Sequence, residues 1–140
     1  MRCLVTGAAG FVGSSLVDEL LARGHTVRGI DCFLDYYPAD VKRSNLEQAQ
    51  SHADFEFIQA DLLQHDLSEL LDGIEWVFHQ AGQAGVRASW GEYFGTYTEN
   101  NVRATQLLLE EVRRQKSVKS FVYASSSSIY GNAESFPTSE

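Results

Sequence analysis

The sequence predicts an α/β protein: a doubly wound parallel sheet in three layers (α/β/α), with helices on both faces. Three observations carry that expectation. Short apolar runs alternate with amphipathic segments along the 140 residues, the signature of repeated strand–helix units. The first run passes directly into Thr6-Gly7-Ala8-Ala9-Gly10-Phe11-Val12-Gly13, a glycine turn that opens a helix. The polar and small residues of chemical interest then fall at strand ends, the edge where ligands of such sheets bind. Right-handed crossovers between parallel strands fix the winding.

Length and composition bound the rest. One domain with a real hydrophobic core is expected at this length. Hydrophobic residues make up 44% and charged residues 21% of the chain, the balance of a soluble globular protein. The net charge of −8 argues against nucleic acid and anionic membrane surfaces as partners. An anionic ligand therefore needs a local positive pocket, such as a helix N-terminus. Cys3 and Cys32 lie in or beside predicted strands and read as buried, reduced thiols; no metal-ligand spacing is present. Arg2 to Leu16 has the basic residue and apolar run of a secretory leader, but the glycine spacing and the amphipathic continuation explain it better. No run approaches the length of a membrane span. A cytoplasmic protein is expected.

The elements follow in order. Cys3 to Val5 is the first strand. Gly7 permits a tight turn, Gly10 lets the backbone approach a pyrophosphate, and Gly13 lets helix and strand pack closely. First-turn N–H groups and the helix dipole supply the positive field. The helix runs to about Arg23, with Val12, Leu16 and Leu20 on one row and Gly13, Val17 and Leu21 on the next. Arg23-Gly24-His25 reads as its glycine stop.

Thr26 to Asp31 is the second strand. Asp31 falls near the roughly 20-residue interval expected of a ribose-binding acid. A carboxylate there accepts from ribose hydroxyls and repels a 2′-phosphate. No Arg or Lys stands at 32–34, so NAD is favoured over NADP; the alternative is a solvated turn aspartate. After a polar stretch holding Tyr36, Tyr37 and Pro38, a helix is expected over Ala39 to Gln50, with Lys42 and Arg43 as solvated surface charges. Phe55 to Ala60 is the third strand, ended by Asp61-Leu62. Asp61 either caps the next turn or hydrogen-bonds an adenine amino group, and the residues alone leave both open.

Leu67 to Leu71 reads as a short helix after Asp66, and Glu75 to His79 as the fourth strand. The small residues of Gln80-Ala81-Gly82-Gln83-Ala84-Gly85-Val86-Arg87 let backbone press against a flat ligand. His79 reads as a hydrogen-bonded structural histidine. Arg87, on the ligand edge, can pair with a phosphate or carboxylate. Tyr97 to Lys116 is the longest predicted helix, burying Val102, Thr105, Leu108, Leu109 and Val112. Asn100 and Asn101 stand at its start, where asparagine is usually a cap. Ser120 to Ala124 is the fifth strand. Ser125-Ser126-Ser127-Ser128-Ile129-Tyr130-Gly131 follows it, read as part of a site rather than a linker. With no sixth strand, an unpaired edge is left, which favours association of the isolated chain.

Together these residues resemble the extended short-chain dehydrogenase/reductase family, in its nucleotide-sugar epimerase and dehydratase branch. Residues 6–13 match that branch's TGxxGFxG, and Gln59 to Leu62, His79 to Val86, Asn100-Asn101-Val102 and Tyr123 to Gly131 match later landmarks in order. The resemblance spans essentially the whole chain and implies a Rossmann-type fold. It implies that Gly7, Gly10, Phe11, Val12 and Gly13 meet the NAD pyrophosphate, Asp31 the ribose and Asp61-Leu62 the adenine. Gln80, Ala81, Gln83 and Ala124 would complete the cofactor site, with Asn101 bracing it from the long helix. Ser126 takes the place of the catalytic Ser/Thr that hydrogen-bonds the sugar oxygen, with Ser127 and Arg87 as substrate contacts.

The family's YxxxK base motif is absent from these residues, and Tyr130 is not its tyrosine. The resemblance therefore implies an NAD-binding domain over residues 1–140 that lacks the YxxxK segment and the C-terminal substrate domain, inactive alone, and a homodimer at full length. The implied activity is NAD-dependent C4 epimerisation of a UDP-sugar through a 4-keto intermediate. Gln83-Ala84-Gly85-Val86-Arg87 resembles UDP-glucuronate 4-epimerases and UDP-glucuronate decarboxylases more than UDP-glucose 4-epimerases. The alternatives are a nucleotide-sugar 4,6-dehydratase, a UDP-glucuronate decarboxylase, or an NAD-binding module without turnover.

Overall fold

Five parallel strands form one sheet in the computed structural model, which describes residues 1–132 and 135–138. They are β1 (Arg2–Thr6), β2 (Thr26–Asp31), β3 (Phe55–Gln59), β4 (Trp76–His79) and β5 (Ser120–Tyr123), in the order β3-β2-β1-β4-β5. The chain winds outward from β1 to β3, then crosses back to lay β4 on the other side of β1. That reversal creates a crevice at the C-terminal ends of β1 and β4.

Cys3, Leu4 and Val5 are fully buried because β1 is covered on both faces, as an unbroken apolar run in a central parallel strand requires. Cys3 and Val5 pack with Val17, Leu20 and Leu21 of α1 (Phe11–Ala22) and Ala49 of α2 (Ala39–Gln50). Leu4 faces the opposite layer, with Leu70 of α3 (Leu67–Leu70) and Leu108 of α5 (Ala104–Arg114). The expected three layers are therefore present. Val122 and Tyr123 of β5 are exposed, and no described strand pairs with its outer edge.

α1 ends as expected. Gly24 adopts φ +76°, and the N–H groups of Gly24 and His25 bond to Leu21 and Leu20 carbonyls, a Schellman closure. Its buried side differs from the expected rows. Gly13, Ser14, Val17, Leu20 and Leu21 face inward, whereas Val12 is 60% exposed because it sits at the crevice mouth. Cys32 is likewise exposed at the end of β2 rather than buried.

The long helix is the larger departure. It runs as α4 (Phe94–Tyr97), a π-helical segment (Thr98–Arg103) and α5. A π segment bonds i to i+5, so a 3.6-residue count carried across it slips out of phase. Val102, inside that segment, is exposed for this reason; beyond it Thr105, Leu108 and Val112 face inward as expected, joined by Ala104, while Leu109 is exposed. Asn100 and Asn101 lie inside the π segment, not at a cap. Among the described residues no helix is long and apolar enough to cross a membrane.

Candidate functional site

The crevice is built on the first glycine turn. Gly7 adopts φ +67°, and a Cβ there would stand 2.9 Å from the Ala81 backbone, so the turn after β1 abuts the loop after β4. The Gly10 N–H bonds to the Gly7 carbonyl at 3.0 Å. A Cβ on Gly13 would run into that same carbonyl and come within 3.1 Å of Ala8 Cα. Gly10 is the N-cap of α1 and no side chain caps it. The first-turn N–H groups are thus left for a ligand, with the positive end of the helix dipole behind them.

Asp31 closes one end. Its Oδ2 accepts from the Ala9 N–H at 3.2 Å and its Oδ1 from the Phe33 N–H at 2.8 Å. Lys42 Nζ lies 3.6 Å from Oδ1, and both side chains are 8% exposed. The reading of Lys42 as a solvated charge is therefore corrected: it is buried, donating to the Leu34 carbonyl at 3.0 Å, while Arg43 beside it is exposed. Asn45 and Tyr37 hold the Ala9 carbonyl from α2 and the turn before it, at 2.9 and 3.4 Å. Asp61 lines the crevice and also closes its own turn, accepting from the Leu63 N–H at 2.9 Å; of its two open roles, the turn-closing one is seen directly.

A polar relay supports the floor. Ala81 N–H donates to Thr6 Oγ1 at 3.1 Å, and Thr6 Oγ1 lies 2.7 Å from His79 Nδ1. His79 Nε2 lies 2.9 Å from Thr105 Oγ1, whose hydroxyl donates to the Asn101 carbonyl. Because Thr105 spends its proton on Asn101, His79 donates from Nε2 and accepts at Nδ1. Its neutral form is kept by burial, which pulls the pKa down to about 4. The expected structural role of His79 matches this arrangement.

Asn101 then clamps the next loop. Its Oδ1 accepts from the Gln83 N–H at 2.6 Å and its Nδ2 donates to the Gln83 carbonyl at 3.0 Å. The π segment aims this side chain at the β4 loop, consistent with the tendency of such segments to sit at functional sites. Tyr97 donates to the carbonyls of the same loop, 2.8 Å from Ala84 and 2.6 Å from Gly85.

The cleft encloses about 310 Å³. From the first turn it is lined by Gly7, Gly10, Phe11, Val12 and Gly13, from β2 and β3 by Asp31, Asp61 and Leu62, and from β4 by Gln80, Ala81 and Gln83. Asn101 stands one residue behind, through Gln83. Arg87, Ala124, Ser126 and Ser127 do not line it. Ala124 ties the end of β5 to the His79 carbonyl at 3.1 Å. Ser126 begins the 3-10 turn Ser127–Tyr130, its Oγ accepting from the Ser128 N–H and donating to Ser128 Oγ, each at 3.2 Å. The sequence reading missed Tyr36, Tyr37 and Lys42 as lining residues. A signal existed for Lys42: it shares an i, i+4, i+7 row with the buried Leu46 and Ala49.

Comparison with known proteins agrees with this geometry. The model of the NAD dependent epimerase/dehydratase family matches residues 3–140. An uncharacterized UDP-glucose epimerase of Bacillus subtilis, YtcB, is 46% identical over 135 residues, covering 96% of this chain and 42% of that protein. UDP-glucuronate 4-epimerase 2 of Arabidopsis thaliana is 39% identical over 98% of this chain and 32% of its own length. Among solved structures, UDP-glucuronic acid 4-epimerase from Bacillus cereus, in complex with UDP-glucuronic acid and NAD, superimposes with a TM-score of 0.92. It is 44% identical and matches all of this chain but 44% of its own. The chain thus spans less than half the length of these relatives.

Proposed function

The chain belongs to the NAD-dependent epimerase/dehydratase family, and on that premise we propose that it supplies the NAD-binding part of a UDP-sugar 4-epimerase. One observation carries the proposal: an uncapped helix N-terminus and a buried carboxylate face one cleft that glycine alone keeps open. These residues fit NAD. The N–H groups at the start of α1 would hold the pyrophosphate, Asp31 the adenosine ribose and Asp61-Leu62 the adenine. Gln80, Ala81 and Gln83, the last fixed by Asn101, would lie against the nicotinamide, with Ala124 beyond them. Bound NAD supplies a reversible hydride acceptor.

Residues 1–140 would then be the cofactor domain. Ser126 would turn its hydroxyl from Ser128 to the sugar oxygen at C4, and Ser127 and Arg87 would contact the substrate. A uronate carboxylate suits Arg87, which can pair with it bidentately. UDP-glucuronate is therefore the favoured substrate, supported by the Bacillus cereus and Arabidopsis likenesses. Two unpaired thiols favour a reducing cytoplasm, and exposed Phe94, Val102 and Leu109 on the long helical stretch favour a homodimer.

Full-length protein incubated with UDP-glucuronate and followed by proton NMR is expected to form the C4 epimer. Arg87→Ala is expected to weaken UDP-glucuronate by about tenfold while sparing UDP-glucose. Loss of water or carbon dioxide from the product would assign a dehydratase or decarboxylase instead. Bound NAD with no turnover would leave a binding module. Equal weakening of both sugars would remove the carboxylate role from Arg87.

A further inference from the structure

We infer that Tyr36 is a gate across the mouth of the cleft, which slows both the entry and the release of a bound dinucleotide. The inference rests on the cofactor reading above and adds to it a residue that sets exchange rather than affinity.

The strand order dictates the geometry. β2 and β4 lie on opposite sides of β1, roughly 9–10 Å apart, and the glycine turn rises from β1 between them. A side chain from the loop after β2 that reaches the loop after β4 must therefore pass over that turn. Tyr36 does so. A Cβ on Gly85 would stand 3.1 Å from the Tyr36 hydroxyl and 3.4 Å from that of Tyr97. Gly85 holds φ +96°, a conformation that side chains rarely adopt, and its missing Cβ leaves the seat for the hydroxyl. Tyr36, Ala84, Gly7 and Gly10 line the same cleft, so space for a ligand remains beneath the ring.

The base of the gate is fixed on both sides. Phe33, at φ +55°, turns the chain back over the end of β2. The Leu34 carbonyl accepts from the buried Lys42 ammonium at 3.0 Å and from the Tyr36 N–H at 2.8 Å. Tyr37 donates to the Ala9 carbonyl at 3.4 Å, and its ring meets that of Tyr36 edge-on, with centroids 6.3 Å apart. Tyr36 itself is 54% exposed, and among the described residues no hydrogen bond holds its hydroxyl. An anchored backbone carrying a free ring opens by side-chain rotation alone. With the open state about 10% populated or less, entry and exit each scale with that fraction. A gate thus slows both directions alike and leaves the affinity nearly unchanged, whereas a lost ligand contact shows mainly in the release rate.

Stopped-flow binding of NADH to the full-length protein, followed by nicotinamide fluorescence, tests this, with release measured by chasing with excess NAD. Tyr36→Ala is expected to raise the association and dissociation rates together, each by about tenfold or more, while Kd stays nearly constant. Tyr36→Ser gives the same pair of rises should the alanine variant fail to fold. Wild-type binding of NADH with neither rate changed in the variants overturns the inference alone. A rise in the dissociation rate without one in association makes Tyr36 a ligand contact and likewise overturns it. A wild type that binds no NADH overturns the cofactor reading and the inference together.

Discussion

Gly13→Ala is expected to empty the cleft of NAD and to destabilise the chain by about 3 kcal/mol or more, a fall of roughly 10 °C in melting temperature. The sign is the informative part. In an ordinary helix interior, glycine to alanine stabilises by about 1 kcal/mol, because alanine loses less backbone entropy and forms helix better. At Gly13 the added Cβ meets the Gly7 carbonyl and the Ala8 backbone. Neither is a flexible side chain that could swing aside. Relief requires either α1 to lift from β1 or the Gly7 turn to open, and both remove the surface on which a pyrophosphate would rest. Gly95→Ala is the control: it lies in α4 with nothing within 4 Å of its Cβ, and is expected to be neutral or slightly stabilising. Thermal denaturation by circular dichroism and NAD titration on both variants check the contrast.

Acid is expected to unfold the chain through His79. The unfolded residue titrates near pH 6.5, whereas in the fold burial holds it neutral down to about pH 4. Between those values the unfolded chain binds a proton that the native one refuses, so stability falls as pH falls. The stabilisation is fully present above pH 6.5 and is lost progressively toward pH 4, by on the order of 3 kcal/mol. Protonation would also force a second donor onto Nδ1, which now accepts from the Thr6 hydroxyl, and so disturb the Ala81 contact at the cleft floor. Urea unfolding across this window should therefore show a steep slope, and His79→Gln should flatten it. A slope unchanged in that variant would contradict the role given to His79.

Which features were legible in the sequence follows from the range of the interactions that set them. The strands and the first turn are local: Cys3 to Val5 is apolar on both faces, and Gly7 and Gly13 stand where a Cβ would strike backbone, with Gly10 tight between them. α2 over Ala39–Gln50 was legible for the same reason, as was the short helix after Asp66, whose carboxylate the structure shows accepting from the Ser68 and Glu69 N–H groups. The buried face of the long helix was legible in part, through Thr105, Leu108 and Val112. A π segment leaves no mark in residue type, and its slipped phase put Val102 out to solvent. Lys42 was misread because its composition says surface, while its burial depends on Asp31, Leu34 and Tyr37 arriving from another element. Arg87 and Ser126 stand outside the cleft, and their roles rest on the family resemblance rather than on a contact.

On the function proposed above, the turn from Gly7 to Gly13, with Asp31 at its flank, holds NAD. A crystal structure of the full-length protein grown with NAD tests it most directly. The expected result is a pyrophosphate on the backbone N–H groups at the start of α1 and an adenosine ribose hydrogen-bonded to Asp31. A dinucleotide bound elsewhere, or a ribose turned away from Asp31, would contradict it.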